Sequence, residues 1–157
     1  MSFFLLKYLH LVGAAVLLGT GAGIAFFMSL AHLGRNAAVI AGVARIVVIA
    51  DFVFTATAVV VQPVTGALLV RDVGYAFSDA WILWSLVLYV LAGAFWLPVV
   101  LMQTRMRDLA RAAVAAGTEL PPAYHRLFRW WFAFGFPAFA AVLAIFWLMI
   151  AKPQTLF

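Results

Sequence analysis

Residues 46–70 read IVVIADFVFTATAVVVQPVTGALLV, and this stretch decides the fold. It carries a single charged residue, Asp51. About 20 mostly apolar residues at roughly 1.5 Å per residue suffice to cross the hydrocarbon core of a bilayer as a helix. Its polar residues are not scattered. Asp51, Thr55, Gln62 and Thr65, with Ala58 between them, follow one another at steps of four, three, four and three, which on a helix forms one stripe along nearly the whole span. Hydrocarbon offers these groups no hydrogen bonds, so the stripe must face a bundle interior or a wet cavity. The other faces, mostly Val, Ile, Phe and Ala, suit lipid. Pro63 lacks an N–H and therefore frees one backbone carbonyl within the span.

Three further blocks of the same kind flank this one, at Phe3 to Leu30, Trp81 to Met102 and Leu127 to Ala151. None alternates with period two, which excludes barrel strands. The chain of 157 residues is 68% hydrophobic and 10% charged, with a mean hydropathy of +1.15, far from the composition of a soluble globule. The expected fold class is all-α: an integral membrane four-helix transmembrane bundle, forming a single transmembrane domain over residues 1–157. The first block lacks the basic lead of a secretory signal, so it reads as a retained span. With no cysteine there is no disulfide framework, thiolate metal site or thiol nucleophile.

The connections also carry information. His32 to Arg45 reads as a short loop with helical potential, and Arg71 to Ala80 as a tight turn. Gln103 to Arg126 starts as an extension of the third helix and breaks at Gly117 and Pro121-Pro122. Arg35, Arg45, Arg105, Arg107, Arg111, Arg126 and Arg129 fall on one side of a four-span chain, whereas Lys7, Arg71 and Lys152 fall on the other. The positive-inside rule then places both termini on the periplasmic face of a bacterial inner membrane. Trp130 and Trp131 are expected in the inner aromatic belt, and Trp81 and Trp147 in the outer one. The net charge of +5 reflects insertion and anionic lipid, with Tyr124 to Trp131 as an interfacial anchor. No nucleic-acid partner is expected.

Two ionisable residues lie within the spans, where each is costly. His10 sits about seven residues, or roughly 10 Å, into the first helix, at a depth similar to that of Gln62 on the second. A neutral imidazole there can ligate a haem iron or a copper ion, shuttle protons, or simply bond across helices; ligation needs an orienting acceptor such as Gln62 for its second nitrogen. Lys7, one turn outside His10, can greet an anionic group or snorkel to the interface. Asp51 can form a buried ion pair, with Arg129 or Arg105 the nearest cations in depth, or act in a proton relay through Thr55 and Gln62. Trp81, Ser85, Phe95 and Gln103 share a face of the third helix, flanked by Trp84 and Trp96; this wall can seat a planar macrocycle or a quinone, or can pack as core. Ala15, Gly19 and Gly23 form a small-residue face suited to close helix packing, including a homo-oligomer contact. His32 and His125 belong to the side opposite His10. No phosphate-binding glycine loop, Ser-His-Asp order or HExxH motif is present.

The segments LKYLHLVG (residues 6–13), GTG (19–21), VQPVTG (61–66) and WLMIAKP (147–153) resemble a bacterial family of predicted integral membrane proteins of unknown function, over essentially the whole chain. That family is in turn distantly similar to the HemJ-type protoporphyrinogen oxidases and the CopD copper-resistance proteins, small helical membrane proteins with a histidine early in helix one. The HemJ likeness implies haem b with His10 as axial ligand, and electron transfer from a porphyrinogen or a related reduced substrate to a quinone. The CopD likeness implies copper, for which five methionines without paired spacing supply few soft ligands. The leading expectation is therefore an inner-membrane protein holding haem b through His10, with Lys7, Gln62 and Trp81 around it, and serving membrane electron transfer. The alternatives are a non-enzymatic accessory or assembly subunit, and a proton or small-solute path lined by Asp51, Thr55 and Gln62.

Overall fold

The computed structural model describes residues 2–153. Met1 and residues 154–157, the chain ends expected on the periplasmic side, lie outside the described residues. Helix α1 spans Phe3–Leu33, α2 Ala37–Ala50, α3 Ala56–Val73, α4 Ala80–Ala116 and α5 Pro122–Ala151, and a single π-helical turn, Asp51–Thr55, joins α2 to α3. Because that turn does not break the rod, Ala37–Val73 is one continuous helix, and the described residues hold four helices long and apolar enough to cross a membrane. Strands are absent among the described residues.

Local chemistry sets the ends of these helices. The Ser2 hydroxyl accepts from Leu5 N–H at the start of α1, and the Asn36 carboxamide accepts from Ala38 and Val39 N–H at 2.9 and 3.2 Å at the start of α2. Both satisfy donors that a helix start leaves open. Gly74 and Gly117 end α3 and α4 in the left-handed region, with φ of 82° and 63°. The Tyr75 and Thr118 N–H groups then fold back onto the Val70 and Ala113 carbonyls, the closing bond of a Schellman motif. Pro121 and Pro122 start α5 where no N–H is required.

The second helix differs from its sequence reading. Where a loop from His32 to Arg45 is expected, only Gly34 to Asn36 lies between helices. The Asn36 cap starts a helix at Ala37, and Ile40, Ala44 and Val47 bury one face of it. Asp51 consequently lies about 21 Å from the first residue of its helix, at roughly 1.5 Å per residue, and not close below the helix end. The π turn begins at this residue: Ala56 N–H bonds to the Asp51 carbonyl, one residue further than in an α-helix.

The helices run antiparallel in sequence order, which brings the start of α1, the α3–α4 turn and the end of α5 to one end of the bundle. There Lys152 Nζ donates to the Tyr75 hydroxyl at 3.0 Å and lies over the Tyr75 and Trp81 rings. At the other end, the His32 ring on α1 stacks on Phe128 of α5 with centroids 3.6 Å apart. The main core belongs to this second end, where Ile24 and Met28, Ile40 and Ala44, Met106 and Ala110, and Tyr124 and Trp131 bring α1, α2, α4 and α5 together. A smaller cluster of Val70, Trp81 and Ile82 with Met149 closes the first end. Elsewhere the helices present large apolar side chains outward, among them Phe4, Ile46, Leu101 and Ile150, a surface suited to lipid.

Two of the expected belt tryptophans are in fact core. Trp130 and Trp147 are exposed, but Trp131 and Trp81 are buried. Adjacent residues on a helix point about 100° apart, so Trp130 and Trp131 cannot both face lipid, and Trp131 has a polar partner inside.

Candidate functional site

The α2–α3 stripe is buried along its length: Asp51, Thr55, Ala58, Gln62 and Thr65 all face inward. Its side chains engage two separate clusters, with the apolar Ala58 between them.

The first cluster joins α1 to α3 around His10. Thr65 Oγ1 donates to the Val61 carbonyl at 2.8 Å, one turn back on its own helix, and also lies 3.2 Å from the Gln62 carbonyl. The same hydroxyl lies 2.8 Å from His10 Nδ1, and with its proton on the backbone carbonyl it is placed to accept from that nitrogen. In that arrangement Nδ1 carries the ring proton and Nε2 keeps its lone pair; Nε2 has no hydrogen-bond partner among the described residues. Gln62, expected as the acceptor for the imidazole, acts one atom group away: its Nε2 donates to the His10 backbone carbonyl at 2.7 Å. Two glycines permit this approach. A Cβ at Gly13 would collide with the Gln62 amide nitrogen, and one at Gly66 would lie 3.2 Å from His10 Cε1. Gly13 follows His10 by three residues and Gly66 follows Gln62 by four, the spacings that share a helix face.

The second cluster surrounds Asp51, whose residue is 3% exposed. Trp96 Nε1 on α4 donates to Oδ1 at 3.3 Å. The Gln103 amide, 2% exposed, lies between Asp51 and Trp131 of α5. Its nitrogen donates to Asp51 Oδ2 at 2.6 Å and its oxygen accepts from Trp131 Nε1 at 3.1 Å, the orientation in which donor meets acceptor at both ends. One carboxylate, one amide and two indoles thus tie three helices together. The ion pair expected with Arg105 or Arg129 is not formed: both arginines are exposed, and the only salt bridge among the described residues joins Arg107 to Asp108. Thr55 Oγ1 is buried without a partner among the described residues.

Between the clusters, Tyr89 on α4 donates its hydroxyl to the Val59 carbonyl. Val59 stands four residues before Pro63, so this is the carbonyl that the proline leaves without its helical donor.

The remaining expected site residues lie apart. Trp81 packs with Val70 and Ile82, edge-on to Tyr75, under Lys152. Lys7 is exposed, and so are Ala15 and Gly19, while Gly23 is half-buried; a Cβ at Gly19 would meet no atom within 4 Å. Of the aromatic wall, Trp84 is exposed and Trp96 serves Asp51. His32 and His125 sit together at the opposite end from His10, their ring centroids 5.7 Å apart. Among the described residues no three His, Cys, Asp or Glu side chains converge as a metal site. A haem needs fewer protein donors, and a single imidazole held through one ring nitrogen, with the other unpartnered among the described residues, is a residue type that would hold one. Tyr89, Gln103, Trp96 and Trp131 were not singled out as partners by sequence; their signals are the proline-freed carbonyl for Tyr89 and, for the others, polar atoms on helix faces opposite Asp51.

No curated protein and no solved structure matches the chain. One family model does, over residues 4–153, and its description is predicted integral membrane protein (DUF2269).

Proposed function

The chain belongs to the integral membrane protein family DUF2269, and on that premise we propose that it is a redox protein of the bacterial inner membrane, holding haem b through His10 and passing electrons to a quinone. The observation that carries this reading is the 2.8 Å contact of His10 Nδ1 with Thr65 Oγ1, which leaves Nε2 without a protein partner among the described residues. A ligating histidine characteristically donates its other ring N–H to an oxygen acceptor, which fixes the ring and raises its basicity. Thr65, whose hydroxyl lies within hydrogen-bond distance of both the Val61 carbonyl and His10 Nδ1, is placed to be such an acceptor. Gln62 pins the backbone beneath the ring, and Lys7, exposed three residues earlier, supplies positive charge for an anionic substituent such as a propionate. Haem contributes one-electron chemistry when bound; the protein's part is to hold the imidazole neutral, oriented and away from bulk water.

An absorption spectrum of the detergent-purified protein tests this, as isolated, after dithionite and after added haemin, beside His10→Ala and Thr65→Val. A Soret band with reduced α and β bands, lost in His10→Ala while the helical circular dichroism persists, supports the reading. Thr65→Val should weaken haem affinity about 10- to 100-fold. A colourless wild type that stays colourless with haemin overturns it, and an accessory or assembly subunit then becomes the better account. A second reading draws on Asp51, a buried carboxyl held only by neutral donors: such a group can carry a proton across the membrane interior. Loss of proton flux in Asp51→Asn liposomes, with folding intact, would support it, and unchanged flux would end it.

A further inference from the structure

The arginines of the long second and third rods converge on one place. Arg45 and Ile49, one turn apart on α2, and Arg107 and Arg111, one turn apart on α4, line a half-enclosed cavity of about 530 Å³. The helices are antiparallel there, in the register set by the Asp51–Gln103 contact. Three arginines thus line a common space from two helices. The chain has five acidic residues, and among the described residues only Asp108 is paired with this cluster: one of its oxygens accepts from Arg107 Nε and Nη2, both at 2.8 Å. Glu119 lies in the connection after α4, eight residues beyond Arg111, and forms no salt bridge with these arginines. Asp72 and Asp79 belong to the other end of the bundle, and Asp51 is occupied below by Trp96 and Gln103. Two positive charges of the three are left uncompensated, and guanidinium donors in a fork are suited to phosphate oxygens.

The surroundings indicate how the anion arrives. Ile49, in the cavity wall, and Phe52, three residues further, are both exposed and continue the Arg45 face toward the middle of the rod. An apolar track leading away from a basic pocket between membrane helices fits an acyl chain below a charged headgroup. We propose that this cavity is a phosphate-binding site, occupied by the headgroup phosphate of an anionic membrane lipid. It is independent of His10, which lies toward the opposite end of the bundle.

The test is binding of dioleoyl phosphatidylglycerol, with dioleoyl phosphatidylcholine as the zwitterionic comparison, to the full-length protein in neutral detergent, followed by native mass spectrometry. The cavity variant Arg45→Gln/Arg107→Gln/Arg111→Gln is compared with Arg35→Gln/Arg105→Gln/Arg126→Gln, which removes the same charge elsewhere. At roughly a fivefold contribution per arginine, the cavity variant should bind phosphatidylglycerol about a hundredfold more weakly, and the control should stay near wild type. Should the triple variant fail to fold by circular dichroism, single substitutions serve, each expected to weaken binding about fivefold. Displacement of the lipid by millimolar inorganic phosphate identifies a soluble phosphate as the occupant; retention of the lipid identifies the headgroup. Equal weakening in both triple variants, or equal binding of the two lipids by wild type, overturns the proposal.

Discussion

Tyr89→Phe removes one hydroxyl, and its cost should depend on a residue on another helix. The Val59 carbonyl lacks its usual donor four positions on because that residue is Pro63, and the Tyr89 hydroxyl takes that place. Interhelical hydrogen bonds in membranes contribute on average about 0.6 and at most about 1.7 kcal/mol, whereas a buried acceptor left without a partner costs about 1–3 kcal/mol. The Tyr89 hydroxyl supplies the side-chain donor to the Val59 carbonyl, so a loss of about 1–2 kcal/mol is expected in the wild-type background. In Pro63→Ala the restored N–H satisfies the carbonyl from within the helix, and the same Tyr89→Phe change should cost about 0.5 kcal/mol or less. The coupling, about 1 kcal/mol, lies within the range resolved by a double-mutant cycle. Reversible unfolding of the four proteins in mixed micelles, titrated with SDS, measures it. An equal cost of Tyr89→Phe with and without Pro63 would refute the pairing of this hydroxyl with the freed carbonyl.

Gly13→Ala should force the Gln62 amide off the His10 carbonyl, combining a lost bond with overpacking for about 1–3 kcal/mol, read as a lower SDS midpoint; Gly19→Ala, which meets open space, should leave the midpoint unchanged. Gln103→Leu strands both an Asp51 oxygen and the Trp131 indole N–H, and should destabilise by about 2–4 kcal/mol with a change in Trp131 fluorescence; a near-neutral result would show that the amide does not bridge them. Asn36→Ala removes the acceptor of two N–H groups at the start of α2, and should cost about 1 kcal/mol, visible as faster amide exchange at Ala38 and Val39.

Much of the membrane architecture was legible because lipid is an unforgiving solvent. Apolar length alone marked the four spans, and the spacing of Asp51, Thr55, Gln62 and Thr65 alone marked the buried face of the second rod. The freed carbonyl at Val59 was equally legible, since a proline states which bond is missing. The start of the second rod was not read at Ala37, because Arg45 interrupts the hydropathy there, although Asn36 carried the capping signal. The two expected arginine partners of Asp51 failed for a different reason. Depth along a helix axis can be counted from sequence, but the rotation of one helix against another cannot, and rotation turned Arg105 and Arg129 outward and Gln103 and Trp96 inward.

By itself, then, the sequence determined that the chain is an all-helical membrane protein, which face of its second rod is buried, and that His10 and Asp51 are its exceptional residues. These follow from one-dimensional quantities: length, composition and the 3.6-residue repeat. Only the tertiary structure decided what meets what. It set Trp81 apart from the His10 cluster, divided the stripe at Ala58, gave Thr65 and not Gln62 to the imidazole, and brought Arg45 opposite Arg107 and Arg111. Each of these depends on the mutual register and rotation of helices, fixed by the sum of many close contacts between residues far apart in the chain, and no local pattern encodes that sum.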